Sequence, residues 1–155
     1  MKNTCCFTGH RRLPADKIEY IVKRLDNEID ILINQGVTEF ISGGAVGFDL
    51  IAASLVAAKK EMGQDIKLIF ALPCKNQDAN WGDKNKKLYR NLLNDADEIV
   101  YVSEEYHKMC MEQRNQYMVL HSAHCICALL RERSGTGQTV RMARREGLNV
   151  VNTAV

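Results

Sequence analysis

The chain has no apolar run approaching the roughly 20 residues that a membrane-spanning helix needs. It also has almost no net charge, with 21 lysines and arginines against 19 aspartates and glutamates. The first absence argues against a membrane partner. The second removes any global field that would draw nucleic acid and leaves only a local basic patch to do so. Six cysteines are present without a single C-x-x-C pair. His107, His121 and His124 share no metal-ligand spacing with one another or with acids, so no metal site is expected. Repeats, low-complexity tracts and linkers are also missing, so residues 1–155 are expected to form one domain with a sizeable core. The opening residues, Met1 to Phe7, are too few for a secretory signal and read as the start of a strand. The expected location is the cytoplasm.

What is present is a regular alternation of strand and helix. Strands are expected at about 4–8, 37–42, 66–72, 98–103, 124–130 and 149–153. Helices are expected at about 15–34, 49–62, 84–94, 106–122 and 139–146. In the first helix Ile18, Ile21, Val22, Leu25, Ile29 and Leu32 recur at helical spacing. The second helix is apolar nearly all round and reads as buried. In the third, Leu88, Leu92 and Leu93 read as the inward side. This alternation predicts an α/β fold: a Rossmann-like, doubly wound, mostly parallel six-stranded sheet with helices on both faces. Four cysteines (Cys5, Cys6, Cys125, Cys127) fall inside predicted strands and read as buried free thiols. In Cys125-Ile126-Cys127 both sulfurs face one side.

Two glycine turns stand out, Ser42-Gly43-Gly44-Ala45-Val46-Gly47-Phe48-Asp49 and Ser134-Gly135-Thr136-Gly137-Gln138-Thr139. Each follows a predicted strand and opens a helix, the arrangement in which free N–H groups of a first helical turn face an anion. The first turn is not a dinucleotide fingerprint. Ser42 occupies the first glycine position, and the next strand ends Leu72-Pro73-Cys74-Lys75 without an acid for a ribose. It is not a Walker loop either, since no Gly-Lys-Ser/Thr follows. A nicotinamide cofactor is therefore not expected, and no other cofactor is implied. Asp49 reads equally as a helix cap and as a grip on a ribose hydroxyl.

A third segment, Thr8-Gly9-His10-Arg11, leaves the first strand at the expected ligand crevice. Arg11 suits phosphate, Thr8 adds a hydroxyl, and His10 is a candidate for proton transfer. Arg131 and Arg133 stand just before the second glycine turn. Arg114-Asn115 lies in mid-helix among apolar residues. Trp81, in a polar loop, suits either stacking on a base or packing on a neighbouring subunit.

Taken together, in order and at matching positions, Thr8-Gly9-His10-Arg11, Ser42 to Asp49, Arg114-Asn115 with Met118-Val119, and Ser134 to Thr139 resemble the SLOG superfamily, within it the small YpsA-like branch. That superfamily includes the LOG phosphoribohydrolases and the DNA-processing protein DprA. The resemblance covers essentially the whole chain. It implies a nucleotide or nucleotide-derived ligand held in a glycine-lined crevice, and self-association. It places Arg114 on the arginine of the LOG helix motif. Thr139 falls where LOG enzymes carry a catalytic glutamate, and no acid lies between Ser134 and Met142. Cleavage of an N-glycosidic bond passes through an oxocarbenium-like state that a carboxylate stabilises.

The first expectation is therefore a sensor or regulatory module that binds without catalysis. Thr8, Gly9, Ser42, Gly43, Gly44, Gly47, Asn115, Ser134, Gly135, Thr136, Gly137 and Thr139 would surround the ligand. Arg11 and Arg114 would neutralise its charge, and Asp49 would take a hydroxyl. The alternatives are a hydrolase using Arg114 with His10 or Asp49, and single-stranded nucleic-acid binding by analogy with DprA.

Overall fold

The computed structural model describes residues 3–155; Met1 and Lys2, read above as leading into the first strand, lie outside the described residues. The elements follow as β1 (Thr4–Gly9), α1 (Ile18–Asn34), β2 (Glu39–Ser42), α2 (Phe48–Glu61), β3 (Lys67–Leu72), α3 (Asp83–Asp95), β4 (Glu98–Tyr101), α4 (Cys110–Leu120), β5 (His124–Ala128), α5 (Gly135–Arg145) and β6 (Asn149–Asn152). The strands form one sheet in the order β4-β3-β2-β1-β5-β6. Every pairing is parallel, so the sheet is parallel throughout rather than mostly so.

Two-residue alternation along the strands sends side chains to opposite faces, and both faces are covered. Phe7, Phe40, Leu68, Phe70 and Leu72 point into one layer, packed by Ile21, Leu25 and Ile29 of α1, Ala52 and Val56 of α2, and Tyr89 and Leu92 of α3. Cys6, Ile41, Ile69, Ala71, Cys125 and Cys127 point into the other, under Met118 and Val119 of α4 and Val140 and Ala143 of α5. All six cysteines are buried free thiols. Burial pushes the Cys127 thiol up to about 12, which keeps it protonated and unreactive.

Several helix boundaries differ from those expected. The Pro14 carbonyl accepts from the N–H groups of both Lys17 and Ile18, so residues 15–17 form a turn and α1 begins at Ile18. Before α4, the Ser103 hydroxyl donates to the Glu105 carbonyl and the Met109 N–H donates to His107 Nδ1. These local bonds displace helical ones, and α4 starts at Cys110 instead of Tyr106. In α3 it is Tyr89, not Leu88, that turns inward; Leu88 is exposed. Trp81 packs edge-on against the Tyr89 ring at 4.9 Å between centroids and closes the rim of the core.

The order of the sheet fixes where a ligand crevice forms. The chain leaves β1 for α1 on one face, builds β2, β3 and β4 outward, then returns by α4 on the other face to place β5 beside β1. Loops leaving the carboxyl ends of β1 and β5 therefore diverge, and the gap between them is the switch point of the sheet. The β2–α2 turn borders the same gap. Its Gly47 has φ +91°, and a Cβ there would drive into the backbone carbonyls of His10 and Arg11. Gly36, past the end of α1, has a similar φ of +97° but open space around it. We expect Gly36→Ala to cost about 1 kcal/mol, the backbone penalty alone. Gly47→Ala should cost several times more, because strain and backbone collision add; urea unfolding of the two variants gives the comparison.

Candidate functional site

The crevice between β1 and β5 is a cavity of about 440 Å³. β1 forms its floor. Thr8 and Gly9 line it, and Gly9 is bare because a Cβ there would collide with the Phe48 ring. His10 follows, buried, and its Nε2 accepts from the N–H of Leu130 at 2.9 Å and of Arg131 at 3.3 Å. Two donors on one nitrogen make Nε2 an acceptor, and Nδ1 lies 3.4 Å from Arg131 Nη2. Burial and then the nearby Arg131 hold the His10 pKa below its ordinary value. His10 thus ties the β5–α5 loop to the exit of β1. Arg11 and Arg12 project from the same loop, both exposed and both lining the cavity.

The β2–α2 turn forms one wall. Ser42 lies fully buried behind it. Its hydroxyl accepts from the Gly44 N–H and donates to the Asp49 carbonyl, holding the turn closed. Gly43 gives a seat to Arg114. Its carbonyl accepts from Arg114 Nη1 at 2.6 Å, and a Cβ at Gly43 would lie 2.5 Å from that nitrogen and 3.0 Å from Asp49 Oδ2. Arg114 is only 6% exposed, and its Nε donates to Asn115 Oδ1 at 2.7 Å. Burial pushes the pKa of the guanidinium down while Asp49 holds it up.

Among the described residues Asp49, at 5% exposure, is the only carboxylate lining the cavity. Its Oδ2 accepts a long bond of 3.4 Å from the Ala45 N–H, and its Oδ1 is buried without a partner. Burial raises this carboxyl from 3.8 to about 6, against the opposing pull of Arg114, the Ala45 N–H and Arg11. The opposite wall is the start of α5. The second glycine turn is itself the first turn of this helix, which begins four residues earlier than expected because Ser134 caps it. The Ser134 hydroxyl accepts from the Gly137 N–H and donates to the Arg131 carbonyl. Gln138 N–H donates to the Ser134 carbonyl, which leaves the N–H groups of Gly135 and Thr136 at the helix tip facing the cavity.

The structure therefore brings Thr8, Gly9, His10, Arg11, Asp49, Arg114, Asn115, Ser134, Gly135 and Thr136 to one cavity. Ser42, Gly43, Gly44, Gly47, Gly137 and Thr139 sit behind its walls. Gly44 packs on Leu72 and Tyr89, and Gly137 makes room for the Glu132 carbonyl. Thr139, buried, gives its hydroxyl to the Gly135 carbonyl. Arg12, Ala45, Met111 and Arg131 line the cavity without having been chosen from the sequence. Their signals were present: Arg12 and Arg131 flank chosen residues, and Met111 lies three residues before Arg114 on the same helix side. Four arginines and one carboxylate thus line the same cavity.

The model of the YpsA family, described as the YspA SLOG family, matches residues 6–147. Among curated proteins, the chain is 32% identical over 128 residues to an uncharacterised SPbeta prophage-derived protein, YoqJ, of Bacillus subtilis, covering 75% of each. It is 30% identical over 104 residues to a UPF0398 protein of Halalkalibacterium halodurans, covering 66% of this chain and 55% of that one. Among solved structures, DprA of Streptococcus pneumoniae superposes with a TM-score of 0.67 at 18% identity. It covers 96% of this chain, which spans 49% of that protein. Helicobacter pylori DprA, described for its single-stranded DNA binding mode, gives a TM-score of 0.68 at 20% identity, covering 95% of this chain and 63% of its own. The DprA likeness establishes the shared fold.

The buried carboxyl of Asp49 gives a signature in stability. Its folded pKa lies above the unfolded value, so the native state binds more protons between about pH 4 and pH 6. Stability falls as pH rises through that window. Asparagine does not titrate. Relative to Asp49→Asn, the wild type should gain about 3 kcal/mol on going from pH 7 to below pH 4. Parallel denaturant titrations of both proteins across that range measure it.

Proposed function

The chain belongs to the YspA SLOG family, and on that premise we propose that its cavity binds a nucleotide or nucleotide-derived ligand, as a sensor or regulatory module. The observation that carries this reading is the convergence of Arg11, Arg12, Arg114 and Arg131 with the free N–H groups of Gly135 and Thr136 at the sheet's switch point. Guanidinium groups pair with phosphate in bidentate fashion, and a helix N-terminus adds a directed positive potential. Apart from Met111, the remaining walls are small or polar residues, which leave room for a sugar and a base.

A hydrolytic reading has less support. Cleavage of an N-glycosidic bond needs a carboxylate placed at the developing oxocarbenium ion, and the position of the LOG glutamate holds none. Asp49 stands alone in the cavity, and Thr139 lies buried in α5 with its hydroxyl already engaged. Single-stranded nucleic acid is the second alternative, since the H. pylori DprA structure is described by that binding. Here the arginines gather in one cavity rather than along an extended groove, which suits a small ligand. Self-association belongs to the same proposal, with exposed Tyr106, Met109 and Leu120 on and before α4 as the candidate surface.

Thermal denaturation with AMP, ADP-ribose, NAD and cyclic AMP tests the reading. A ligand at 100 times its Kd should add about 2.7 kcal/mol to stability. The effect should fall sharply in Arg114→Ala. It should also fall in Arg11→Ala and Arg131→Ala, whose exposed positions spare the core. Absence of stabilisation by every compound would overturn the proposal. Release of free base by the wild type, lost in Arg114→Ala, would favour the hydrolase instead.

A further inference from the structure

The one carboxylate in the cavity is short of a hydrogen-bond donor. Asp49 Oδ1 is buried and unpartnered, and Oδ2 has only the long bond from the Ala45 N–H. Buried polar atoms in folded proteins are almost always bonded, and an exception in a cavity wall marks a place where a partner arrives. The protein does not provide that partner. Arg114, beside it, directs three of its five N–H donors to the Gly43 carbonyl, Asn115 Oδ1 and Met111 Sδ, and none of its nitrogens hydrogen-bonds Asp49 Oδ1. An ionised carboxylate only accepts, so the missing group must be a donor. Phosphate and carbonyl oxygens are unsuited, the first also by charge. Within a nucleotide the donors nearest the phosphate are the ribose hydroxyls.

Resting on the nucleotide reading above, we infer that Asp49 selects ligands with free ribose hydroxyls, so that the protein recognises ribonucleotides and discriminates against nucleotides that lack the 2′ and 3′ hydroxyls. The placement agrees with the rest of the cavity. The phosphate partners, Arg11, Arg131 and the tip of α5, lie along the β1 and β5 exits, and Asp49 lies on the β2–α2 wall facing the same space. A phosphate at the helix tip leaves its sugar between the two walls. Each carboxylate oxygen has two lone pairs, enough for both hydroxyls of a vicinal diol. A DNA strand offers no such pair, so the selection also separates this cavity from one built for DNA.

The test compares AMP, GMP, CMP and UMP with their 2′,3′-dideoxy counterparts by titration calorimetry at pH 7.5, where Asp49 is ionised. The dideoxy compounds keep base and phosphate and lose only the hydroxyls. The wild type should bind the best ribonucleotide about tenfold to a hundredfold more tightly than its dideoxy form, the range for a hydrogen bond to a charged group. In Asp49→Ala the pair should bind within about twofold of each other, with Asp49→Asn intermediate. Equal binding of both series by the wild type would overturn the inference and leave the nucleotide reading standing. Discrimination that survives in Asp49→Ala would overturn the assignment to Asp49. Binding of neither series would overturn both.

Discussion

The hydrogen bond from Arg114 to the Gly43 carbonyl is the contact on which the rest of the site depends. It joins α4, which covers one face of the sheet, to the turn that opens α2 on the other face. A buried guanidinium is stable only when its donors are met and its charge is balanced. Gly43 meets one donor and leaves space for the group, Asn115 meets another, and Asp49 balances the charge across the missing Cβ. The same burial that makes the pair costly raises Asp49 to about 6. It also leaves one oxygen of that carboxylate without a partner. The buried charge of Arg114 and the cavity's one carboxylate thus arise from one packing arrangement.

The glycines serve this arrangement by letting chain segments meet. Gly9 admits the Phe48 ring, Gly47 admits the backbone of the β1–α1 loop, and Gly137 admits the Glu132 carbonyl. These approaches draw three loops into contact around one gap. The surfaces offered to a ligand are then the side chains and N–H groups at the tips of the walls. His10 works in the same structural sense, since its ring bonds two successive N–H groups of the β5–α5 loop.

Much of this was legible in the sequence. Alternating apolar runs gave the six strands and five helices, and the motif residues that carry side-chain chemistry, Thr8, Arg11, Asp49, Arg114 and Asn115, do meet in one cavity. The glycine motifs were harder to read. A glycine that approaches a ligand and a glycine that approaches another part of the chain look alike in sequence, and most of these are the second kind. Helix starts were misplaced where a short polar bond outcompeted or extended a helical one, as at His107 and Ser134. Arg12 follows Arg11 and Arg131 stands just before the second glycine turn, with nothing in the sequence to mark a common ligand. Only the convergence of two loops at the switch point gives them a shared target.

Amide chemical-shift mapping during titration with AMP addresses the central claim directly. If the cavity holds the phosphate as described, the N–H signals of Gly135 and Thr136 at the tip of α5 should shift together with those of His10 and Arg11, saturably and with one Kd. Shifts confined to other surfaces, or none at millimolar AMP, would contradict it.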